Sequence, residues 1–451
     1  MKILLINPNW DKSKKTIWFK IASVYPPLGL LNVAGVLEKA GHDVSFIDMT
    51  AENLTPKDFN IDEEYDLVGI TMTTPLYKPG IFIAKKIKEK YPHTKIVLGG
   101  VHATMEHKEL IGYPFVDIIV REEGEITMSQ ICDGTHLSNI QGITYKKDGF
   151  TFVNKSRPQL EDINWLPMIP YHLLKMDLYR PPIGGYKNLP AFMMITTRNC
   201  PNDCKYCQHY HRRIKCRDAD KIFAEIKHLK ENYGVKEINF YDDTMTIFKS
   251  NVQRLCDLII TNKLSISWTC FTRVNVVDKE LLENMKSAGC HLILFGVESS
   301  NPKILKDMRK NITLDQVKKA VTLCREVGIK TRCSYIFGYP GETEESMRKT
   351  LEFSKQVDSD SVQYNAITAY PGTDLWKEAD EKGYLVKTNS WDVSNCNIET
   401  PWLSREKVLD FYKTAHRKFY FRPKIIWRRI SSIRSFSDLK QELNGALALI
   451  S

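Results

Sequence analysis

An α/β fold in two parts is what the sequence predicts, and three observations predict it. Short apolar runs alternate with helical patterns over the first part of the chain, the alternation restarts near residue 190, and a basic helical stretch closes the sequence. Buried apolar strands separated by helices imply parallel sheets. The expected architecture is an N-terminal doubly wound parallel sheet (Rossmann-like), then a partial (β/α)6 barrel, then a small helical C-terminal region. At 451 residues the chain is long enough for two or three domains.

In the first part, strands are predicted at "KILLINP" (2–8), "DVSFID" (43–48), "DLVGIT" (66–71), "KIVLGG" (95–100) and "VDIIV" (116–120). Between them, "LGLLNVAGVLEKAG" (28–41) is apolar at helical spacing and closed by Gly41, and "KPGIFIAKKIKEKYP" (78–92) is stopped by Pro92. Such sheets bind ligands at the carboxyl ends of their strands. Those ends carry "NPNW", "TMTTPLY" and "GGVHAT", whose Gly, Thr and Asn suit a polar ligand close to the backbone. "GITYKKDGFTFVNK" reads as a hairpin about Asp148-Gly149, and the Pro- and Gly-studded run 163–185 as a linker. The first domain is placed at 1–145 and the linker at 146–186.

The second alternation gives strands at "AFMMITT" (191–197), "EINFYDD" (237–243), "ISWTCFT" (266–272), "LILFGVES" (292–299), "KTRCSYIFG" (330–338) and "SVQYNAIT" (361–368). Helices are predicted at 218–234, 278–289, 313–328 and 343–357. Six strand–helix units make an open barrel rather than a closed eight-fold one. It is placed at 187–400, followed by a basic helical region at 401–451.

Composition narrows the classes of function. With 43% hydrophobic and 26% charged residues the chain is globular, and no apolar run approaches the ~20 residues of a membrane span. "MKILLINPNW" lacks a signal peptide's apolar core and cleavage site, so it reads as a mature strand. Eleven cysteines in a chain of this size do not suggest a disulfide framework. A reducing, cytoplasmic setting is expected. The net charge of +10 is concentrated between Asp410 and Asp438, where Lys413, Arg417, Lys418, Arg422, Lys424, Arg428, Arg429 and Arg434 meet no acidic residue. Three readings compete for this tail: a solvated helix on the barrel, a surface for anionic lipid, and nucleic-acid contact, the least favoured. Ile425, Ile426, Trp427 and Ile430 fit the apolar stripe of an interfacial helix.

"TTRNCPNDCKYCQ" (196–208) carries the chemistry. Cys200, Cys204 and Cys207 follow the first barrel strand within eight residues. Three readings apply: unrelated thiols, a zinc site, or an iron–sulfur cube. Structural zinc takes four ligands, usually with a second CxxC-like pair, and the sequence has none. His209 and His211 follow closely, though not at a usual finger spacing. A cube on three cysteines leaves one iron open for substrate, which accounts for the missing fourth ligand. Cys132, Cys216, Cys256, Cys270, Cys290, Cys324, Cys333 and Cys396 are scattered singly and read as small core hydrophobes.

C-PND-C-KY-C, with Tyr206 as its aromatic, resembles the signature of the radical S-adenosylmethionine superfamily. There the open iron chelates the amine and carboxylate of S-adenosylmethionine, and reductive cleavage yields a 5′-deoxyadenosyl radical. The resemblance extends to "NFYDDTMT" (239–246), implying Tyr241, Asp242 and Asp243 near the methionine amino group. "FGVESS" (295–300) implies Glu298 and Ser299 facing the ligand. "FGYPGET" (337–343) implies Gly338, Pro340 and Gly341 near the adenine. Arg273 and Arg332 are candidate carboxylate or ribose contacts.

The N-terminal part resembles the cobalamin-binding domain fused to many of these enzymes, in "YPPLGLLNVAGVLEKAGHDV", "GITMTTPLY", "LGGVHAT" and "VREEGE". The resemblance implies Thr71, Thr73, Thr74, Gly99, Gly100, Val101, His102, Ala103 and Thr104 against the corrin edge or nucleotide tail. The DxHxxG motif that supplies a cobalt-ligating histidine is absent; His42 reads as a helix cap, and cobalamin is expected without a protein histidine on cobalt. A methylthiotransferase, similar in outline, carries three N-terminal cysteines, whereas residues 1–190 hold only Cys132. The implied cofactors are a 4Fe–4S cluster, S-adenosyl-L-methionine and cobalamin. The implied activity is C-methylation of an unactivated carbon in a small-molecule, lipid-like substrate, with oxidative cyclisation or rearrangement as the alternative. A non-catalytic zinc- or nucleic-acid-binding protein is the alternative of another class. A flavodoxin or ferredoxin reductant is implied, as is contact of the tail with the inner membrane face by similarity to members acting on lipid-like substrates.

Overall fold

A computed structural model describes residues 1–9, 23–182, 184–208, 213–386 and 395–433, with 443, 446 and 447. The chain divides into two compact units, one running from Val24 to Arg180 together with the N-terminal strand, the other from Pro181 onward.

The first unit holds a seven-stranded sheet of β1 (Lys2–Asn7), β2 (Asp43–Asp48), β3 (Leu67–Thr71), β4 (Lys95–Gly99), β5 (Ile118–Val120), β6 (Ile143–Lys147) and β7 (Phe150–Val153), in the order β2-β1-β3-β4-β5-β6-β7. The first five pair in parallel, and β6 and β7 add antiparallel strands at one edge. The continuous apolar runs of β1, β3 and β4 follow from burial on both faces. One face packs Phe59, Ile83 and Ile87, the other Val33, Leu37 and Ile131. The helices α1 (Leu28–Lys39) and α2 (Tyr77–Lys90) lie where the periodicity places them. The hairpin forms at Asp148 and Gly149, both at positive φ as a two-residue turn demands. Its second strand, assigned from sequence to the linker, closes the first sheet instead, because edge pairing satisfies the backbone groups of β6.

In the second unit β8 (Ala191–Met194), β11 (Glu237–Phe240), β12 (Ser267–Thr272), β13 (Cys290–Glu298), β14 (Lys330–Phe337) and β15 (Ser361–Ala366) form one parallel sheet in chain order. A small antiparallel pair, β9 (Thr197–Arg198) and β10 (Lys215–Cys216), flanks the cysteine loop. Helices α3 (Ala219–Tyr233), α4 (Lys249–Thr261), α5 (Lys279–Ser287), α6 (Leu314–Glu326) and α7 (Glu344–Val357) cross between strands. Thr313 and Thr343 start the last two as capping boxes with Gln316 and Ser346. Parallel strands in chain order bring every carboxyl end to one rim. Among the described residues no helix is long and apolar enough to cross a membrane.

Candidate functional site

The rim gathers most of the predicted barrel residues. β8 leads through Thr196 and Thr197 into the cysteine loop, β11 ends before Tyr241, Asp242 and Asp243, β12 before Arg273, and β13 at Glu298. Asp242 is buried and spends its carboxylate on the cysteine loop. Its Oδ1 accepts the Thr196 N–H at 2.7 Å together with the N–H and hydroxyl of Thr197, and its Oδ2 accepts the Thr196 hydroxyl at 2.9 Å. Burial raises its pKa against the pull of those donors. The acidic pair expected to meet a ligand's amino group therefore splits: Asp242 clasps the loop, and Asp243 is exposed. The Tyr241 ring lies 4.8 Å from that of Phe271, centroid to centroid.

The far side of the loop is tied to residues 307–310. The Lys205 N–H donates to the Met308 carbonyl at 3.2 Å, and the Lys205 ammonium reaches Asp307 at 2.9 Å and Glu378 at 3.0 Å. The Cys204 thiol is pulled down to about 6, first by its hydrogen bond with Cys207, with burial opposing and the Lys310 and Arg273 charges assisting; Cys207 moves up as the partner. Asn202 donates to Cys200 Sγ at 3.1 Å.

Behind the loop, Lys310 and Glu298 form a buried ion pair at 2.7 Å, with the Lys310 Nζ 3.4 Å from the Tyr206 hydroxyl. The Arg273 guanidinium donates to the Lys310 carbonyl. Glu298 sits at φ 72°, a left-handed conformation that costs a non-glycine residue about 1–3 kcal/mol. Gly296 makes room for the pair, since a Cβ there would lie 2.5 Å from the Glu298 carboxylate and 2.8 Å from Lys310 Nζ.

Two predicted contacts do not reach the rim ligand position. The Ser299 hydroxyl accepts the Asn301 N–H at 3.1 Å and lies 3.5 Å from the Thr350 hydroxyl, so it serves the turn into the next helix. Arg332 is the third residue of β14, five residues or roughly 16 Å short of the rim, where it donates to the Gly184 carbonyl at 2.8 Å. Gly338, Pro340 and Gly341 form the turn after β14. There Glu342, which sequence reasoning passed over inside its quoted segment, accepts the Gly338 N–H at 2.9 Å and the Tyr339 N–H at 3.3 Å. Its second oxygen has no partner among the described residues, and burial pushes its pKa to about 8. Lys310 was also missed.

In the first unit, β3 and β4 end in register at Thr71 and Gly99. Gly100 has φ 93°, and a Cβ there would lie 2.8 Å from the Met72 carbonyl and 3.0 Å from the Thr71 hydroxyl; only glycine fits. Thr71 is half-buried, Thr73 exposed and Thr74 buried, and Val101 opens a short helix (Val101–Met105). His102 is buried, its ring stacked on Tyr77 at 4.4 Å; burial lowers its pKa to about 4, and its Nδ1 has no partner among the described residues. The Thr104 hydroxyl donates to the Gly100 carbonyl at 2.9 Å. Just past β1, the buried Asn9 gives its amide to the Leu54 carbonyl, and its Oδ1 has no partner among the described residues. His42 lies before β2, at the opposite ends of the strands, 3.4 Å from Asp133.

These donor sets fit the implied groups. Among the described residues no three His, Cys, Asp or Glu side chains converge on one metal ion. A cube puts each thiolate on a separate iron and needs no common centre. His209 and His211 lie outside the described residues. The strand order 2-1-3-4-5 has its switch point between β1 and β3, where doubly wound sheets take ligands. Polar atoms of Asn9, after β1, and His102, after β4, that have no partner among the described residues suit the amide-fringed edge of a corrin.

The Radical SAM superfamily matches residues 194–354, and the B12 binding domain matches residues 14–132. A protein of Pyrococcus horikoshii described as an uncharacterized methyltransferase is 32% identical over 460 residues, spanning 99% of this chain and 98% of its own. The chain belongs to the cobalamin-binding radical S-adenosylmethionine enzymes. A cyclase of Rubrivivax gelatinosus, described as acting anaerobically on magnesium-protoporphyrin IX monomethyl ester, is 27% identical over 93% of this chain and 77% of its own. The radical S-adenosylmethionine methyltransferase TsrM from Kitasatospora setae, solved with cobalamin and a 4Fe–4S cluster bound, shares the fold. Its TM-score is 0.68 at 19% identity, over 86% of this chain and 76% of that one. A cobalamin-binding radical S-adenosylmethionine enzyme uses a 4Fe–4S cluster, S-adenosyl-L-methionine and cobalamin.

Proposed function

We propose that this radical enzyme transfers a methyl group to an unactivated carbon of a small, lipid-like molecule. What carries the reading is the relative described as a methyltransferase, which matches end to end at 32% identity. When bound, the cofactors supply a hydrogen-abstracting radical and a transferable methyl group; a flavodoxin- or ferredoxin-type reductant supplies electrons. Cys200, Cys204 and Cys207 hold the iron, and the Asp242 clasp keeps their loop on the end of β8. Tyr241, Asp243, Gly338, Pro340 and Gly341 line the S-adenosylmethionine position, with the Lys310–Glu298 pair fixing Tyr206 behind it. Thr71, Thr73, Thr74, Gly99, Gly100, Val101 and Thr104 would shape the cobalamin edge, where the His102 ring, kept neutral by burial and stacked on Tyr77, would pack without serving as a cobalt ligand.

The cyclase-described relative favours a second reading, radical ring formation without methyl transfer. Turnover with methyl-labelled S-adenosylmethionine separates the two. Methyl transfer puts label in the product; deoxyadenosine formed with unlabelled product supports the cyclase reading.

A further inference from the structure

Away from the rim, the C-terminal end of α7 meets α6 and the turn into α8 (Pro423–Ser432) around a cavity of about 420 Å³. Lys318, Arg325, Lys355, Arg422 and Lys424 line it, and Arg428 stands beside them. Asp358, the left-handed cap of α7, takes Lys424 at 2.7 Å, Arg428 at 3.0 Å and Arg325 at 3.2 Å. Glu352 takes Lys355 at 2.7 Å. Two carboxylates thus answer six cations, and the carbonyl end of α7 adds only a fractional negative charge.

Among the described residues, two of these cations keep donors without a partner. Arg422 stacks on Phe419 at 4.1 Å and donates to the carbonyls of Phe419 at 3.0 Å and Lys355 at 3.2 Å. Its Nη2 is buried without a partner among the described residues. Lys318 lies 5.9 Å from the Phe353 ring centroid, a distant cation–π contact. A guanidinium held in place by stacking, with Nη2 left to donate and an ammonium nearby, is chemistry suited to a phosphate.

The outward face of α8 is apolar where a solvated helix would be polar. Trp427 is 71% exposed, Ile430 56% and Ile426 39%, while Ile425 is buried. One helix thus carries cations at a basic cavity together with an exposed tryptophan and isoleucines, the two chemistries that an anionic bilayer surface offers partners for, phosphate and acyl boundary. We propose that this face docks on anionic phospholipid, with a lipid phosphate entering the cavity against Arg422 and Lys318 while Trp427 and Ile430 enter the headgroup boundary. This goes beyond the methyl-transfer reading and stands or falls without it.

Full-length protein is sedimented with vesicles of equal parts phosphatidylglycerol and phosphatidylcholine, and with phosphatidylcholine alone. Binding to the anionic vesicles alone is expected, weakened by salt. The double variants Lys318→Gln/Arg422→Gln and Trp427→Ser/Ile430→Ser each lower it roughly tenfold or more with unchanged circular dichroism. Equal sedimentation with both lipids, or variants that bind like the parent, overturns the proposal. So does inorganic phosphate binding without vesicle affinity, which identifies a free-phosphate site. A dimer abolished by Trp427→Ser/Ile430→Ser, without vesicle binding, assigns the face to a second copy and equally overturns it.

Discussion

Glu342 sets a pH dependence for the barrel. Burial raises its pKa to about 8, and one of its oxygens has no partner among the described residues. Between the ordinary carboxylate range and pH 8 the folded chain holds a proton that the unfolded chain has lost, so this group's contribution to stability falls as pH rises through that window. The slope is at most about 1.4 kcal/mol per pH unit. Glu342→Gln keeps an acceptor for the Gly338 and Tyr339 N–H groups and removes the titration. Urea unfolding of both proteins at pH 5.5 and 7.5 is expected to show the parent losing stability relative to the variant; parallel behaviour contradicts the buried acid. The proposal for the three cysteines could be read from the sequence because it rests on local spacing. Lys310 was not, because its pairing depends on a left-handed turn at Glu298 and on the space at Gly296, neither written in a motif.

At the scale of elements, the end of β11 positions the loop after β8. Asp242 meets four donors from Thr196 and Thr197. Asp242→Ala strands two buried N–H groups at about 1–3 kcal/mol each, so lowered stability and poor iron loading are expected. Asp242→Asn restores both, because its carbonyl accepts the N–H groups and its amide donates to the Thr196 hydroxyl. Full iron loading of the alanine variant in anaerobic reconstitution removes the clasp from the account. Strand positions were readable because buried parallel strands are apolar throughout, and helix starts because Thr313 and Thr343 carry capping signals. The destinations of Ser299 and Arg332 were not readable. A serine after a strand serves a ligand or the next helix equally well, and an arginine's distance from the rim depends on where its strand begins.

At the scale of the whole molecule, the sequence placed a cobalamin-type sheet before a radical barrel, and the match to the Pyrococcus horikoshii relative runs through both. The second strand of the hairpin at Asp148 and Gly149 was placed beyond the first domain because turn signals mark a hairpin without saying which sheet it joins. What the molecule is proposed to do rests on iron held by the cysteine loop. The most direct measurement is iron and sulfide content with electron paramagnetic resonance of the reduced, anaerobically reconstituted protein, before and after S-adenosylmethionine is added. The account predicts about four iron per chain, a spectrum that changes on the addition, and loss of both when Cys200, Cys204 and Cys207 are replaced together by alanine. Zinc alone in the parent, or an unchanged iron content in the triple variant, would contradict it.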